Sequence, residues 1–507
     1  MKTYNKEDII EDYRNLQSQF PDRIVTRSEY RQNGEYKTSL IEKLFGSWTN
    51  FVKEAGYVTK VNKYEIEKES KGSRIIISSI IDGIDINEEA LETLETYAKW
   101  NKAELYLFWT KSPKKGQYGL RSEVFNRVKD YLVTSLKFED NSIAVEDLSI
   151  NYTSKNPLMN LEKVNKNSSI FIVPHPKQYH KMAPNDTNDE TRQVWSTGTI
   201  SNLEFPNTVS GRLDSKNITL GGILLEYDLY TNKYLPRNLI FKEHCIYDKN
   251  YVYVPNNSVM LLNSVPAMVL GDIHFPEHDE KVLEKSVELI EQCNPNVVVL
   301  HDIFSLNSIN HHELNNPVTR LTRQTELTKS LKVELEEDIK LLKEWFLDRF
   351  PDTLFLVVAS NHDNFLMKWL NTGEFAKAKD KETYKLGCEM ASKIIDGRNP
   401  ISEMIPTSYH NIGFLKERDS YQPIPGIECG NHGHIGLAGS RGNTNAYNKT
   451  YEQAVIGHTH SSKIQEGTVT VGTNSMLELS YTNTLMDWSH ANAIIFANST
   501  IQLVFMD

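Results

Sequence analysis

Residues 267–274 read AMVLGDIH and residues 296–302 read NVVVLHD, so in both stretches a short apolar run ends in carboxylate and imidazole side chains. Similar apolar runs lie at 353–358 and 454–456. Further polar motifs follow in the same half of the chain, namely Asn361-His362-Asp363, Asn431-His432-Gly433-His434 and Gly457-His458-Thr459-His460. Short runs rich in Val, Ile and Leu, separated by helical stretches, are typical of a sheet buried on both faces. The sequence therefore predicts an α/β fold with polar loops after its strands.

The polar residues are spaced so that their side chains can meet. Residues two apart in extended chain point to the same side, so Asp272 with His274, and His458 with His460, can each offer two ligands to one cavity. Ligands collect beyond the strand ends of such sheets, and clustered His and Asp side chains are costly to bury without a partner. Mixed carboxylate, amide and imidazole ligands suit two adjacent divalent metals. The motifs thus favour a metal-dependent phosphoester hydrolase.

The ordered motifs also carry a family resemblance. The order Asp-x-His, Asp, Asn-His-Asp, His, Gly-His-x-His resembles the calcineurin-like metallophosphoesterase superfamily over about residues 262–507. Within it, Asp302-Ile303-Phe304 and Asn361-His362-Asp363 are most similar to nucleases of the Mre-eleven/SbcD type. The resemblance implies a two-sheet sandwich flanked by helices, with two divalent cations. Mn²⁺ is favoured because the ligand set lacks thiolate, and Zn²⁺ and Fe²⁺ are alternatives.

The resemblance further implies seven metal ligands in two sets that share one carboxylate. The two sets are Asp272, His274 and His460 for one metal and Asn361, His432 and His458 for the other. The shared carboxylate is that of Asp302, whose two oxygens would hold both cations close together.

The same resemblance gives His362 a catalytic role instead of a ligand's. Its ring would protonate or stabilise the departing oxygen, and Asp363 would orient or charge that ring. The sequence departs from the family pattern beside the bridging aspartate, where His301 and Ser305 replace a frequent Gly and a frequent second Asp. Because neither position is a metal ligand in the family, metal binding should survive while the substrate pocket changes.

The fourth motif leaves its ligand and its neighbours open. His432 is the preferred ligand because in the family the ligand directly precedes a Gly, and His434 is the alternative ligand or a substrate contact. The glycine-rich stretch 433–442 carries Arg441, whose guanidinium could clamp a phosphate. The alternative is a turn-rich loop with a solvated arginine.

Length and composition bound the class of protein. A chain of 507 residues is too long for one core and suggests two to four domains. No apolar stretch approaches the roughly 20 residues of a membrane span, and the start lacks a signal-peptide core. The four cysteines are widely spread without a Cys-x-x-Cys pair, which indicates reduced thiols. We expect a cytoplasmic protein without membrane contact, in the host cytoplasm if it is phage-encoded.

Residues 1–60 are predicted to form a separate helical module. Asn5, Thr26 with Glu29, and Ser39 with Glu42 are helix-capping signals, and Pro21 would end the first of three short helices. Residues 4–58 resemble the homing-endonuclease-associated repeat, a module linked to DNA-binding enzymes. Six Lys and four Arg against nine acidic residues do not make a basic footprint, so a capping or oligomerisation module is the alternative to DNA binding.

The region 70–260 is predicted to be an α/β middle domain of undetermined role. Strands are expected at 74–81, 103–109 and 221–229, a helix at 88–100, and loops at 185–191 and 210–217. Lysines 111, 114, 115, 177 and 181 could steer a polyanion, or they could serve solubility alone. Within residues 262–507, a charged helix at 326–350 is expected to cover the sheet that carries the polar motifs.

Three functions are compatible with these residues. The first is a Mn-dependent DNase acting on DNA, and the layout also resembles a phage-encoded phosphoesterase such as an early DNA-degrading protein of a tailed phage. The second is a phosphatase or cyclic-nucleotide phosphodiesterase, which the formal net charge of −11 favours because it repels nucleic acid at long range. The third is an assembly protein with structural metals, ranked last because His362 and every expected ligand are present. The family resemblance also implies that the protein can assemble into a homo-oligomer.

Overall fold

The computed structural model describes residues 5–20, 24–57, 60–111, 119–139, 142–184, 191–314, 317–322, 329–378, 380–478 and 486–506. The longer helices among these residues are Lys6–Gln17, Thr38–Phe45, Glu88–Asn101, Val209–Lys216, Glu280–Cys293, Leu331–Leu342, Asp363–Asn371 and Lys381–Ile395. The shorter helices are Arg27–Asn33, Trp48–Glu54, Ser122–Val128, His311–Leu314, Pro317–Thr322 and Thr444–Thr450. None of the helices in these ranges is long and apolar enough to cross a membrane.

The strands form three large sheets. The six-stranded sheet has the order Ile412–Phe414, Leu354–Val357, Val297–Leu300, Ala267–Val269, Ala491–Ile495, Ile501–Phe505. An eight-stranded sheet, called here the joint sheet, has the order Ile427–Glu428, Gln453–Ile456, Thr468–Thr470, Lys463–Gln465, His180–Ala183, Arg192–Ser196, Ile170–Val173, Ile143–Val145. A second eight-stranded sheet, the middle sheet, has the order Ser258–Leu261, Tyr251–Val254, Cys245–Asp248, Lys233–Lys242, Gly221–Asp228, Arg74–Ile81, Glu104–Thr110, Leu132–Val133. Two-stranded pairs join Lys60–Val61 to Leu120–Arg121 and Glu67–Ser70 to Ser135–Phe138.

One buried core is shared by all three sheets. Val299 of the six-stranded sheet, Val455 of the joint sheet and Ile77 of the middle sheet belong to the same hydrophobic cluster. Helices Glu280–Cys293 and Leu331–Leu342 cover the other face of the six-stranded sheet through a second cluster. The chain is therefore a mixed α/β protein, which confirms the predicted class at that level.

The joint sheet crosses the boundary predicted near residue 262. Strand His180–Ala183 pairs antiparallel with Lys463–Gln465, with His180 opposite Ile464 and Lys181 opposite Lys463. Residues of the predicted middle domain thus complete a sheet of the C-terminal region. The division of the chain into separate folding units remains a prediction.

Parallel pairing explains why the polar motifs meet. Ala267–Val269, Val297–Leu300 and Leu354–Val357 are parallel neighbours, so their carboxyl ends lie at one edge of the six-stranded sheet. In the joint sheet, Ile427–Glu428 and Gln453–Ile456 are likewise parallel neighbours. Loops that follow parallel strands collect at the same edge. Every polar motif follows one of these five strands. Four of the strands match the apolar runs of the sequence to within one residue at each end, whereas the strand Ile427–Glu428 before the fourth motif was not predicted.

The N-terminal module has four helices instead of the predicted three. Asn5 accepts from the backbone N–H of Glu7, and Thr26 and Glu29 form a complete capping box. The predicted cap at Ser39 is wrong, because the third helix begins at Thr38 after a residue without a side-chain cap. The additional helix, Trp48–Glu54, is capped by Ser47.

Three other expectations need correction. The predicted loop at 210–217 is the helix Val209–Lys216, whose first turn is capped by the Thr208 side chain. Lys177 does not steer a polyanion, because its side chain is buried and pairs with Asp214 at 2.9 Å. Lys181 pairs with Glu162, while lysines 114 and 115 and most of the predicted loop 185–191 lie outside the described residues.

The predicted helix at 326–350 begins at Leu331 and runs through a π-helical turn to Leu347.

Candidate metal centre

The five polar motifs converge on one buried cluster of carboxylates and imidazoles. Three overlapping groups have ligand atoms within 4.8 Å of one another and could hold a metal ion. The groups are Asp272 with His301 and His432, Asp272 with His274 and His460, and His274 with Asp302 and His362. The sequence prediction that these motifs meet is borne out by this geometry, while the assignment of each residue to a particular metal stays a prediction.

The set predicted for one metal is tightly gathered. The Nε2 atoms of His274 and His460 lie 3.1 Å apart, and His460 Nε2 lies 3.0 Å from Asp272 Oδ2. The ring of His460 also packs edge-on against Trp488. Two imidazole nitrogens and a carboxylate oxygen that face one point are the donor set of a divalent cation.

The set predicted for the second metal gathers around His432. His432 Nε2 lies 3.0 Å from Asn361 Oδ1, and the ring of His458 stands 5.2 Å from that of His432, measured between centroids. The backbone N–H of His458 donates to both oxygens of Asp272, at 3.2 and 3.0 Å. That pair of hydrogen bonds ties the last motif to the first.

Asp302 lies between the two sets. Its Oδ2 is 3.7 Å from His274 Nε2 and 3.4 Å from His432 Nε2, so one oxygen reaches a histidine of each set. Its Oδ1 accepts a 2.6 Å hydrogen bond from the Ser360 hydroxyl. This serine fixes the carboxylate and was not identified from the sequence, because a lone Ser before the Asn-His-Asp motif carries no distinctive spacing.

Burial and charge set the protonation of the cluster. Burial lowers the pKa of His274 to about 3 and that of His458 to about 4, so both rings are neutral near pH 7. Burial alone would also lower the pKa of His432, but the Asp272 and Asp302 carboxylates raise it to about 9. Burial alone would raise the pKa values of Asp272 and Asp302. The neighbouring histidines outweigh burial and lower both pKa values below the ordinary range of an aspartate.

These groups are suited to hold a metal ion. The cluster holds two fully buried carboxylates beside neutral imidazoles whose lone pairs are available to a metal. The buried Nδ1 atoms of His274 and His460 have no hydrogen-bond partner among the described residues, while their Nε2 atoms converge. An imidazole must lose its extra proton before it can bind a metal. A bound cation would then replace the positive charge that protonated His432 places beside the two carboxylates.

The backbone of the cluster adopts rarely populated conformations. His274, Asp302, His458 and His460 all have positive φ, between 44° and 74°. Non-glycine residues in this region are uncommon, and they gather at functional sites where the surrounding structure holds them. Gly457 is required for close approach, because a Cβ there would collide with Asp272 Oδ1 and lie 3.1 Å from His301 Cγ.

His362 stands at the mouth of the cluster with a defined ring orientation. Its Nδ1 lies 2.9 Å from the carbonyl oxygen of Ser305, and its Nε2 lies 3.9 Å from Asp302 Oδ2. A carbonyl only accepts, so Nδ1 carries the proton and Nε2 faces the cluster. The orienting group is therefore the Ser305 carbonyl, a correction to the expectation that Asp363 orients the ring.

Asp363 has a different contact from the one expected. Its carboxylate accepts a 2.8 Å hydrogen bond from the backbone N–H of Ser360 and so holds the loop that carries Asn361. Burial raises its pKa to about 6. No hydrogen bond joins it to the His362 ring among the described residues, and its catalytic role stays a prediction.

The two predicted substrate contacts differ in position. His434 packs beside the cluster, 5.5 Å from His432 and 6.0 Å from His458 between ring centroids, with its Nε2 3.5 Å from Glu417 Oε2. Arg441 is exposed in a loop that a bridge to Ile435 closes, and it forms no ion pair with a described residue. The geometry thus favours His432, not His434, beside Asn361.

His301 is a departure from the family pattern and is not among the predicted site residues. The structure brings its fully buried ring into the cluster, with Nδ1 3.3 Å from His432 Nδ1. Its position directly before Asp302 in the fixed motif order was the available signal.

Comparison with known proteins gives two sequence matches. Residues 4–58 match the family model of the homing endonuclease associated repeat. Over 478 residues the chain is 24% identical to Protein A1 of Escherichia phage T5, an alignment that spans 89% of this chain and 84% of that protein. One crystal structure aligns with 47% of this chain and 99% of its own length at 12% identity, but its TM-score of 0.23 carries no argument about the fold.

Proposed function

We propose that this protein is a two-metal phosphodiester hydrolase of the calcineurin-like metallophosphoesterase type and that its substrate is DNA. The observation that carries the proposal is the position of Asp302, whose Oδ2 lies within 4 Å of His274 and His432 from the two predicted ligand sets. In this proposal, the six-stranded and joint sheets correspond to the two-sheet sandwich of that superfamily. The shared hydrophobic cluster between them supports the correspondence.

The residues that would hold the metals follow from the two sets. Asp272, His274 and His460 would hold one cation, Asn361, His432 and His458 the other, and Asp302 would contact both. Two bound cations supply positive charge that lowers the pKa of a water and offsets the charge of a phosphodiester. Mn²⁺ is the proposed metal because oxygen and imidazole ligands are mixed without thiolate, with Zn²⁺ and Fe²⁺ as alternatives.

His362 would move the proton that the leaving oxygen needs. With Nδ1 bonded to the Ser305 carbonyl, its Nε2 is directed to the side of the cluster where Asp302 lies. A protonated Nε2 can donate to the departing oxygen and leave the ring neutral, with Nδ1–H still donating to the Ser305 carbonyl. The partly exposed position of the ring supports this role, since substrate must reach it.

DNA is proposed as substrate because of the N-terminal module. The match to a homing endonuclease associated repeat supports nucleic-acid binding, and the backbone N–H of Ile24 donates to Glu123 on helix Ser122–Val128, which attaches the module to the rest of the protein. Arg27 is paired with Glu42, so it is not freely available to phosphate. Cytoplasmic location, assembly into a homo-oligomer and three units at 1–60, 70–260 and 262–507 belong to the same proposal.

A second candidate is hydrolysis of a small phosphoester or cyclic nucleotide. The formal net charge of −11 favours it, because a negative protein repels a long polyanion. The N-terminal module would have no evident use in that reaction.

One experiment tests the proposal. Purified protein with Mn²⁺ is given linear duplex DNA, single-stranded DNA, a cyclic nucleotide and a nitrophenyl phosphate diester, beside the Asp302→Ala variant. We expect DNA degradation by the wild type and loss of both manganese binding and activity in Asp302→Ala. Turnover of the small substrates alone would replace DNase by the second candidate, and absence of all hydrolysis would refute both.

A further inference from the structure

His301 is a buried imidazole in contact with a predicted metal ligand, and the proposed function gives it no role. Its ring is fully buried and stands 5.4 Å from the ring of His432, with the two planes 37° apart. The two Nδ1 atoms lie 3.3 Å apart. A glycine is frequent at this position in the family that the motifs resemble, so the contact is a feature of this chain.

The two ring nitrogens of His432 face different groups. Nε2 lies 3.0 Å from Asn361 Oδ1 and 3.4 Å from Asp302 Oδ2, which is the side where the second metal is proposed. An imidazole that ligates through Nε2 carries its proton on Nδ1, and a buried N–H without an acceptor is costly. The nearest carboxylate oxygen to Nδ1, Asp272 Oδ1, is 3.9 Å away and beyond hydrogen-bond reach. His301 Nδ1, at 3.3 Å, is then the acceptor within reach, and the His301 proton lies on Nε2, a buried atom without a hydrogen-bond partner among the described residues.

The packing around His301 keeps this contact in place. Ile273 donates its backbone N–H to the His301 carbonyl at 3.2 Å, which holds the backbone beside the first motif. Gly457 leaves the room that the ring occupies, because a Cβ there would lie 3.1 Å from His301 Cγ. The backbone of His301 is therefore held beside the first motif, and Gly457 leaves space for its ring.

We propose that His301 is a positioning residue for the metal site: its Nδ1 accepts the hydrogen bond from Nδ1–H of His432 and so fixes the tautomer that ligates through Nε2. Partners of this kind orient metal-binding imidazoles and raise their basicity. Here the partner is a second imidazole in place of the usual carboxylate or carbonyl. The inference rests on the proposed two-metal function and identifies His432, not His434, as the ligand of the fourth motif.

Three substitutions separate hydrogen bonding from packing. The amide oxygen of His301→Asn can occupy the place of imidazole Nδ1, that of His301→Gln reaches the place of Nε2, and His301→Leu keeps volume without an acceptor. Manganese titration by calorimetry on the full-length protein should find two ions in the wild type and in His301→Asn. In His301→Gln and His301→Leu one of the two sites should weaken about 10- to 100-fold.

The outcomes are distinguishable. Wild-type affinity at both sites in His301→Leu and His301→Gln would overturn the positioning role, and so would equal losses in all three variants. Three ions in the wild type and two in His301→Leu would make His301 a ligand itself and overturn the proposal. A wild type that binds no manganese would instead refute the proposed function. Melting temperatures in chelator check the fold, and if His301→Leu does not fold, the Asn and Gln variants decide alone.

Discussion

Replacing His362 by alanine separates a proton donor from a metal ligand. The structure allows both roles, because His274, Asp302 and His362 form one of the groups that could hold an ion. The His362 ring nevertheless donates its Nδ1–H to the Ser305 carbonyl. Its Nε2 lies 3.9 Å from Asp302 Oδ2, whereas His432 Nε2 lies 3.4 Å from that oxygen. We therefore expect His362→Ala to bind manganese as the wild type does.

The expected loss of rate can be estimated from the role. General acid catalysis contributes about 10²- to 10⁴-fold, which corresponds to about 3–5 kcal/mol in the barrier. The alkoxide that leaves when DNA is cut needs a proton, whereas a nitrophenolate leaves without one. His362→Ala should thus lose about 10²- to 10⁴-fold in kcat on DNA and far less on a bis-nitrophenyl phosphate.

The assay compares kcat on the two substrates, together with manganese affinity by calorimetry. His244→Ala is a matched control, because that histidine is exposed and its ring pairs with Glu89 on the surface. Equal rate losses on both substrates would refute the leaving-group role. Loss of one manganese ion from His362→Ala would show that the ring is a ligand, and full activity on DNA would show that it has neither role.

Three further changes have defined outcomes. Asp248→Asn removes a buried carboxylate that accepts from Arg237 at 2.6 and 2.9 Å and should cost about 3 kcal/mol of unfolding free energy in urea; a cost below about 1 kcal/mol would contradict the buried pairing. Although burial alone would raise the pKa of Asp248, Arg237 lowers it. The ionised Asp248 therefore stabilises the fold fully above about pH 4, and this contribution declines as the pH falls further. In thermal melts from pH 6 to 3, the melting temperature of Asp248→Asn should fall less than that of the wild type. Gly457→Ala should weaken manganese binding at least about tenfold because its methyl collides with Asp272, and unchanged affinity in calorimetry would contradict the close packing. Deleting residues 1–58 should raise KM for DNA and make it more salt-sensitive while sparing a small diester, and equal effects on both substrates would argue against DNA binding by this module.

The strands and the meeting of the motifs could be predicted from the sequence. Runs such as 296–300 are short, apolar and β-branched, and each is followed directly by a polar motif, so local pattern and chemistry agree. Parallel pairing then brings Asp272 and Asp302 to one edge without any further information. The choice of His432 over His434 was favoured by its neighbouring glycine and is supported by the 3.0 Å distance to Asn361.

Features that depend on long-range pairing could not be predicted. The joint sheet pairs His180 with Ile464, and no periodicity within either segment encodes that partner. The helix Val209–Lys216 was missed because its polar, glycine-containing sequence resembles a loop, although Thr208 was an available capping signal. Orientation of His362 by a backbone carbonyl is likewise invisible in sequence, since every residue has one.

The most direct test of the two-metal site is a crystal structure with Mn²⁺, recorded for anomalous scattering at the manganese edge. We predict two anomalous peaks on either side of the Asp302 carboxylate, one beside Asp272, His274 and His460 and the other beside Asn361, His432 and His458. A single peak, or peaks away from Asp302, would contradict the account.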